Sequence, residues 1–180
     1  MNIWVIEKSV LLNLLDEAIT QGARHMEKDI FATKCRSLNI RGYLFDGYCA
    51  KIDSLQHYYS RNMDLLDRKI RKELFGDNKI FTKVKDEAPS YYTEDSRVEN
   101  SFIADGCIIE GEVRNSILFR GVKVEKNAKV ENCILMQDST VGGDSDLHAV
   151  ILDKNVTIKN HRNLSGHESY PIYISKGSIV

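Results

Sequence analysis

Two periodicities divide the chain. Over residues 1–85 apolar side chains recur at the three- and four-residue steps of helices, interrupted by short apolar runs; from residue 98 they recur near every sixth position. Ile3-Trp4-Val5-Ile6 reads as a strand buried on both faces, because four consecutive apolar residues leave no face for solvent. Leu11, Leu14, Leu15, Ala18 and Ile19 then form one helical stripe, with Ser9 positioned to cap its start and Gly22 to stop it. A second helix from about Glu27 carries Ile30, Phe31, Cys35 and Leu38 on one face, and Ile40–Phe45 reads as a strand. Asp53 or Ser54 opens a third helix bearing Leu55, Tyr58, Tyr59, Met63 and Leu66. Residues 86–97 hold Pro89, several charges and no period, and read as a linker.

Beyond the linker four pieces align as a repeat: Asn100-Ser101-Phe102-Ile103, Asn115-Ser116-Ile117-Leu118, Asn132-Cys133-Ile134-Leu135 and His148-Ala149-Val150-Ile151-Leu152. Their starts are 15, 17 and 16 residues apart. Within them Ile103 and Ile109, then Val124, Val130 and Met136, then Val141 and Leu147, then Leu152 and Ile158, mark a six-residue step. Gly106, Gly111, Gly121, Asn127, Gly142 and Asn155 fall between, and these are the residue types that tolerate positive φ. A coil of three short sides, each with an inward apolar residue and a tight corner, satisfies all of this. Such coils stack by parallel backbone pairing around a continuous core. An antiparallel sandwich of short strands is the alternative that composition allows, but it requires no six-residue period. The expected fold is therefore an α+β segment over 1–85 followed by a left-handed parallel β-helix of hexapeptide type over 98–180. The left-handed form departs from the usual right-handed crossover. Open coil ends invite pairing with other chains, so Tyr170-Pro171-Ile172-Tyr173-Ile174 is expected to help cap one of them.

Charge and motifs narrow the function mainly by exclusion. The 180 residues carry 25 Lys plus Arg against 26 Asp plus Glu, a net charge of −1. Bulk charge therefore cannot drive a grip on nucleic acid. No apolar run is long enough for a membrane span or a signal-peptide core. Cys35, Cys49, Cys107 and Cys133 lack C-x-x-C spacing, which argues against a disulfide framework or thiolate zinc site and for a reducing cytoplasm. There is no G-x-G-x-x-G, no G-x-x-x-x-G-K-[ST], no H-E-x-x-H and no G-x-S-x-G. His161 and His167 are six apart and lack a further ligand nearby, so no metal site is expected. His148 reads as a rung or corner residue. It would be the candidate general base if the chain were instead a hexapeptide-repeat acyltransferase, the alternative function.

Several segments together resemble the bacterial ADP-glucose pyrophosphorylases, the glucose-1-phosphate adenylyltransferase family. Asn115–Val124 (NSILFRGVKV) and Ile151–Val156 (ILDKNV) resemble the family's C-terminal β-helix. Tyr58-Tyr59, Asn62–Leu66 and Lys28-Asp29-Ile30 resemble stretches before it. Glu110-Gly111 and Glu168–Pro171 resemble the GlgD-type branch, the paralogous subunit of glycogen synthesis. The resemblance spans essentially the whole chain. It implies that residues 1–85 are the last part of a nucleotidyltransferase domain, that the glycine-rich ATP loop is absent, and that the chain is a C-terminal fragment. In catalytic members an aspartate after G-Y holds Mg2+; here Gly47-Tyr48-Cys49-Ala50-Lys51-Ile52-Asp53 places Lys51 there. The resemblance thus implies a non-catalytic or regulatory subunit without a cofactor of its own. Its implied partner is the catalytic subunit, in a heterotetramer, with homo-oligomerisation as a second form. It further implies a sugar-phosphate or phosphate effector, with Lys176, Arg120, Lys154 and Arg162 as anion-binding candidates and Lys28, Asp29 and Asp53 as candidates on the sugar-phosphate side.

Overall fold

The computed structural model describes residues 3–76, 80–82 and 85–180, and divides the chain into two compact units, Met1–Cys49 and Ala50–Val180. In the first unit, helix α1 (Lys8–Gln21) ends where Gly22 takes φ 68°, so that its N–H returns to the Ile19 carbonyl and that of Ala23 to Ala18. Ser9 lies inside the first turn rather than at the cap; the cap position is Glu7, whose carboxylate accepts the Ser9 hydroxyl. A π-helical turn, Met26–Phe31, runs directly into the short helix α2 (Ala32–Lys34). Leu14, Ile30 and Phe31 form a small core, and Trp4 packs on Phe31 with ring centroids 4.3 Å apart. The extra residue in a π turn rotates the next residues around the helix axis, which takes Cys35 off the buried face and leaves it exposed.

Neither apolar run of this unit forms a strand. Residues 3–6 and 40–45 are irregular, and Val5 and Leu44 are almost wholly exposed. A strand exists only where a neighbouring backbone pairs with it, and among the described residues every sheet begins at or beyond Tyr91.

The second unit opens with helix α3 (Leu55–Met63), capped by Ser54, whose hydroxyl accepts the His57 N–H at 3.1 Å. A 3-10 turn, Asp64–Leu66, leads to helix α4 (Arg68–Phe75), capped by the Asp67 carboxylate. Three five-stranded parallel sheets complete the unit, wound as a solenoid. The first is built from Tyr91–Tyr92, Ile108–Ile109, Lys123–Val124, Thr140–Val141 and Thr157–Ile158. The second takes Arg97–Glu99, Glu112–Arg114, Lys129–Glu131, Asp146–His148 and Asn163–Ser165; the third takes Phe102–Ile103, Ile117–Leu118, Ile134–Leu135, Val150–Leu152 and Ile172–Ile174. Parallel ladders throughout exclude the antiparallel sandwich. The first rung, Tyr91–Tyr92, falls inside the stretch read as linker; both tyrosines are exposed, so no inward apolar residue announced it.

Register stacks like on like. Ile109, Val124, Val141 and Ile158 form one inward column, Val113, Val130 and Leu147 a second, and Leu118, Leu135 and Leu152 a third, all shut off from solvent. The inward residue before Val141 is thus Leu135, and Met136 lies outside the solenoid core. The corners also form columns at positive φ. One contains Asn100, Asn115, Asn132 and Ala149, another Gly106, Gly121, Asp138, Asn155 and Gly177, and a third Asn127, Asp144 and His161. Ala149, not His148, occupies the fourth place in the first column, so that interval is 17 residues. Gly111 and Gly142 lack positive φ and serve close approach instead: a Cβ on Gly111 would run into the Ala128 carbonyl, and one on Gly142 into Asn160.

Buried serines join successive coils at the corners. Ser139 Oγ donates to the Asp153 carbonyl at 2.8 Å and accepts the Val156 N–H; Ser145 Oγ likewise bridges Lys159 and Arg162. Each buried hydroxyl therefore has both roles filled. The outer face of the third sheet is apolar too. Ile134 and Ile151 are fully buried there beneath Tyr59 of α3, with Tyr58, Met63, Phe119 and Met136 around them. At the far end Ile172–Ile174 adds the last strand, Thr157 bridges to Ile179, and Val180 packs on the core, which supplies the cap expected of the tail.

Candidate functional site

Three side chains meet at the entry to α3. Lys51 Nζ lies 3.1 Å from Asp53 Oδ2, and His57 Nδ1 lies 2.5 Å from Asp53 Oδ1. The extended backbone before the helix brings Lys51 and Asp53, two residues apart, to the same side. The first helical turn then carries His57 back over Asp53 at four-residue spacing. The hydrogen bond from His57, and then that from Lys51, hold the Asp53 carboxyl below the usual carboxylate range. His57 is absent from the sequence-based candidates; its only signal there is the D-x-x-x-H spacing across a helix start.

Lys28 and Asp29 belong to the first unit. Asp29 Oδ2 accepts the main-chain N–H groups of Arg24 and His25, both at 2.9 Å, and these bonds hold its carboxyl below the ordinary range. Asp29 thereby closes the loop that enters the π turn, while Lys28 is exposed and contributes charge beside it.

The four anion candidates separate into two places. Arg120, Lys154 and Lys176 each precede a positive-φ residue of one corner column, Gly121, Asn155 and Gly177, with Gln137 before Asp138 between them. Main-chain bonds fix the order: Asp138 N–H donates to Arg120, Asn155 N–H to Gln137, and Gly177 N–H to Lys154. Rungs rise about 4.8 Å, so Lys154 and Lys176 are neighbours and Arg120 lies about 10 Å from Lys154 along the edge. Arg162 comes after His161 at a different corner, its N–H on Ser145 Oγ. Carboxylates share the basic edge. Asp153 accepts the Lys154 N–H at 2.7 Å and the Tyr173 hydroxyl at 2.8 Å, and these bonds, with the nearby charges of Lys154 and Lys176, keep it ionised well into acid. Gln137 is the addition that sequence reasoning missed, because it carries no charge. Its Oε1 is buried without a hydrogen-bond partner, between Arg120 and Lys154 in the column.

Among the described residues no three His, Cys, Asp or Glu side chains are grouped to hold a metal ion, and no helix is long and apolar enough to cross a membrane. His148 is the last residue of its strand, with Nε2 3.2 Å from the Asn132 amide, a contact between neighbouring rungs.

Residues 86–168 match the family described as GlmU-like, C-terminal hexapeptide. The chain is 36% identical over 180 residues to the glycogen biosynthesis protein GlgD of Bacillus subtilis, a match covering 99% of this chain and 52% of that protein. It is 39% identical over 131 residues to GlgD of Geobacillus stearothermophilus, covering 72% of this chain and 38% of the relative. Identity to the glucose-1-phosphate adenylyltransferase of Acetivibrio thermocellus is 29% over 170 residues, covering 93% of this chain and 39% of that enzyme. The chain thus spans about half the length of the first relative and about two-fifths of the other two.

Proposed function

We propose that this chain, which belongs to the family of GlgD and the glucose-1-phosphate adenylyltransferases, serves glycogen synthesis as part of a non-catalytic, regulatory subunit. The observation that carries the reading is the Lys51–Asp53–His57 chain. Where the resemblance expects an aspartate that holds Mg2+, an ammonium is paired with the neighbouring carboxylate. Both Asp53 oxygens are engaged, one by Lys51 and the other by His57. A fixed positive charge a few ångströms away repels a dication instead of ligating it, so these residues do not fit the metal.

In this reading residues 1–85 are the end of a nucleotidyltransferase domain and the solenoid winds left-handed. The partner is a catalytic glucose-1-phosphate adenylyltransferase, which joins ATP and glucose 1-phosphate into ADP-glucose and pyrophosphate, in a cytoplasmic heterotetramer. Arg120, Lys154 and Lys176, set along one solenoid edge, receive the phosphate of an effector; Arg162, at another corner, falls outside that group. The acidic neighbours of that edge, Asp153 above all, restrict it to a ligand that also offers hydroxyl donors.

The test mixes the protein with a catalytic adenylyltransferase. Native mass is expected to show a complex containing both chains, and ADP-glucose formation by the mixture is expected to respond differently to phosphate and sugar phosphates than the partner alone. Lys154→Ala with Lys176→Ala should remove that difference and leave the complex intact. No complex, or magnesium-dependent ADP-glucose formation by the protein alone, overturns the reading.

A further inference from the structure

A groove of about 350 Å³ runs between the α3 side of the second unit and the asparagine corner of the solenoid, away from both Asp53 and the basic edge. Its two walls differ in chemistry. On the helical side Met63 and Leu66 present apolar surface; on the solenoid side stand the amides of Asn100, Asn115 and Asn132 and the carboxylate of Glu168. The amides are in line because all three residues occupy one positive-φ column, which repeats at each rung. Asn100 Nδ2 donates to Asn115 Oδ1 at 2.8 Å, and the Asn115 Nδ2 makes no hydrogen bond to any described residue. The floor is fixed: Tyr59 is buried, with its hydroxyl on the Asn132 carbonyl.

This lining selects among ligand classes. Asp64 and Glu168 line the groove and no Lys or Arg does, so a phosphate or carboxylate ligand would meet repulsion. Asp64 is paired with Arg61 at 2.8 Å, which leaves the wall short of the clustered charge a metal ion needs. A hydroxyl group both donates and accepts. It can therefore use an amide N–H and a carboxylate oxygen at the same time, which neither an anion nor a cation can. A sugar ring adds an apolar C–H face to its hydroxyl edge, matching the Met63–Leu66 wall opposite the amides. The volume sits at the small end of ligand sites, the size of a mono- or disaccharide unit.

We propose that this groove binds a neutral sugar, as a free saccharide or as the end of an oligosaccharide, through the Asn115 amide and Glu168. The inference uses none of the residues of the regulatory reading and stands or falls apart from it.

Maltose and maltotriose are the probes, titrated by amide NMR shifts against the protein. Saturable binding of order 1 mM is expected, as suits a shallow groove. Asn115→Gly keeps a residue at ease with positive φ and removes the amide, and Glu168→Gln removes the charge on an exposed turn. Each should weaken binding about tenfold at unchanged thermal stability. Absence of saturation at tenfold higher sugar, indifference to both variants, or tighter binding of glucose 1-phosphate through the same shifted residues would each overturn the proposal.

Discussion

The Tyr59 hydroxyl donates to the main-chain carbonyl of Asn132 at 2.7 Å, tying α3 to a corner of the solenoid 73 positions later in the chain. Tyr59 also covers Ile134, Ala149 and Ile151, so the helix is held by one directional bond and an apolar patch. Tyr59→Phe keeps the patch and strands the Asn132 acceptor, which should cost about 1–2 kcal/mol in denaturant unfolding. Tyr59→Ala removes both and should cost about 3–5 kcal/mol. Equal stability of the Phe variant and the parent would show that the bond contributes nothing.

The same pair sets an alkaline limit. Burial pushes the Tyr59 hydroxyl well above its ordinary value of 10.0. A group whose folded value is raised stabilises the fold fully below its unfolded value and loses that contribution as pH rises beyond it. Stability should hold to about pH 10 and fall above it, and Tyr59→Phe should flatten part of that fall. A Phe variant with an unchanged alkaline profile would assign the loss to other groups.

Ala149 is the misfit of its column, an alanine at φ 50° where three rungs use asparagine. Left-handed backbone costs a non-glycine residue about 1–2 kcal/mol, and relieving it offsets the methyl and chain-entropy losses of going to glycine. Ala149→Gly should therefore stay within about 0.5 kcal/mol of the parent, while Ala128→Gly, buried and without positive φ, should cost about 1–2 kcal/mol. Similar losses at both sites would deny the strain.

Legibility in the sequence depended on whether a residue's partner lay in its own repeat. The solenoid was legible because its inward columns recur in a chain that pairs with itself: Val124, Val141 and Ile158 each find the next rung about 17 residues on. Asp138, Asp144 and His161 were missed as corners because their residue types tolerate positive φ without advertising it as glycine does. The runs at Ile3 and Ile40 read as strands from apolarity alone, but pairing depends on a neighbour that the run itself does not encode. At the site, Lys51 beside Asp53 was legible from two-residue spacing. The third member, His57, required knowing where α3 begins. The basic edge was half legible: Lys154 and Lys176 are 22 residues apart in sequence, and only the excursion before Ile172 makes them adjacent rungs.

Ser139 is buried with its hydroxyl shared between two coils. Ser139→Ala removes a donor from the Asp153 carbonyl and an acceptor from the Val156 N–H at once, and water has no access to replace them. The expected loss is about 1–3 kcal/mol, with hydrogen exchange accelerated first at Val156. An unchanged exchange rate there would mean the corner closes without the hydroxyl.

The cysteines give a readout of the solenoid's integrity. Cys35 and Cys49 are exposed, whereas Cys107 and Cys133 are buried. Burial pushes the Cys133 thiol up to about 12, and its S–H is directed to the Glu131 carbonyl at 3.1 Å. Only the thiolate attacks an alkylating reagent, so near neutral pH a thiol this weakly acidic is ionised in roughly one molecule in 10⁴ to 10⁵, besides being sterically closed. A maleimide should therefore label two thiols rapidly in the native protein. Cys133 should react only as fast as the solenoid opens, and a destabilising change such as Ser139→Ala should speed its labelling but not that of Cys35. Mass spectrometry of timed samples separates the four sites. Native labelling of Cys133 at the rate of Cys35 would mean that the coil around Glu131 and Leu147 is not closed.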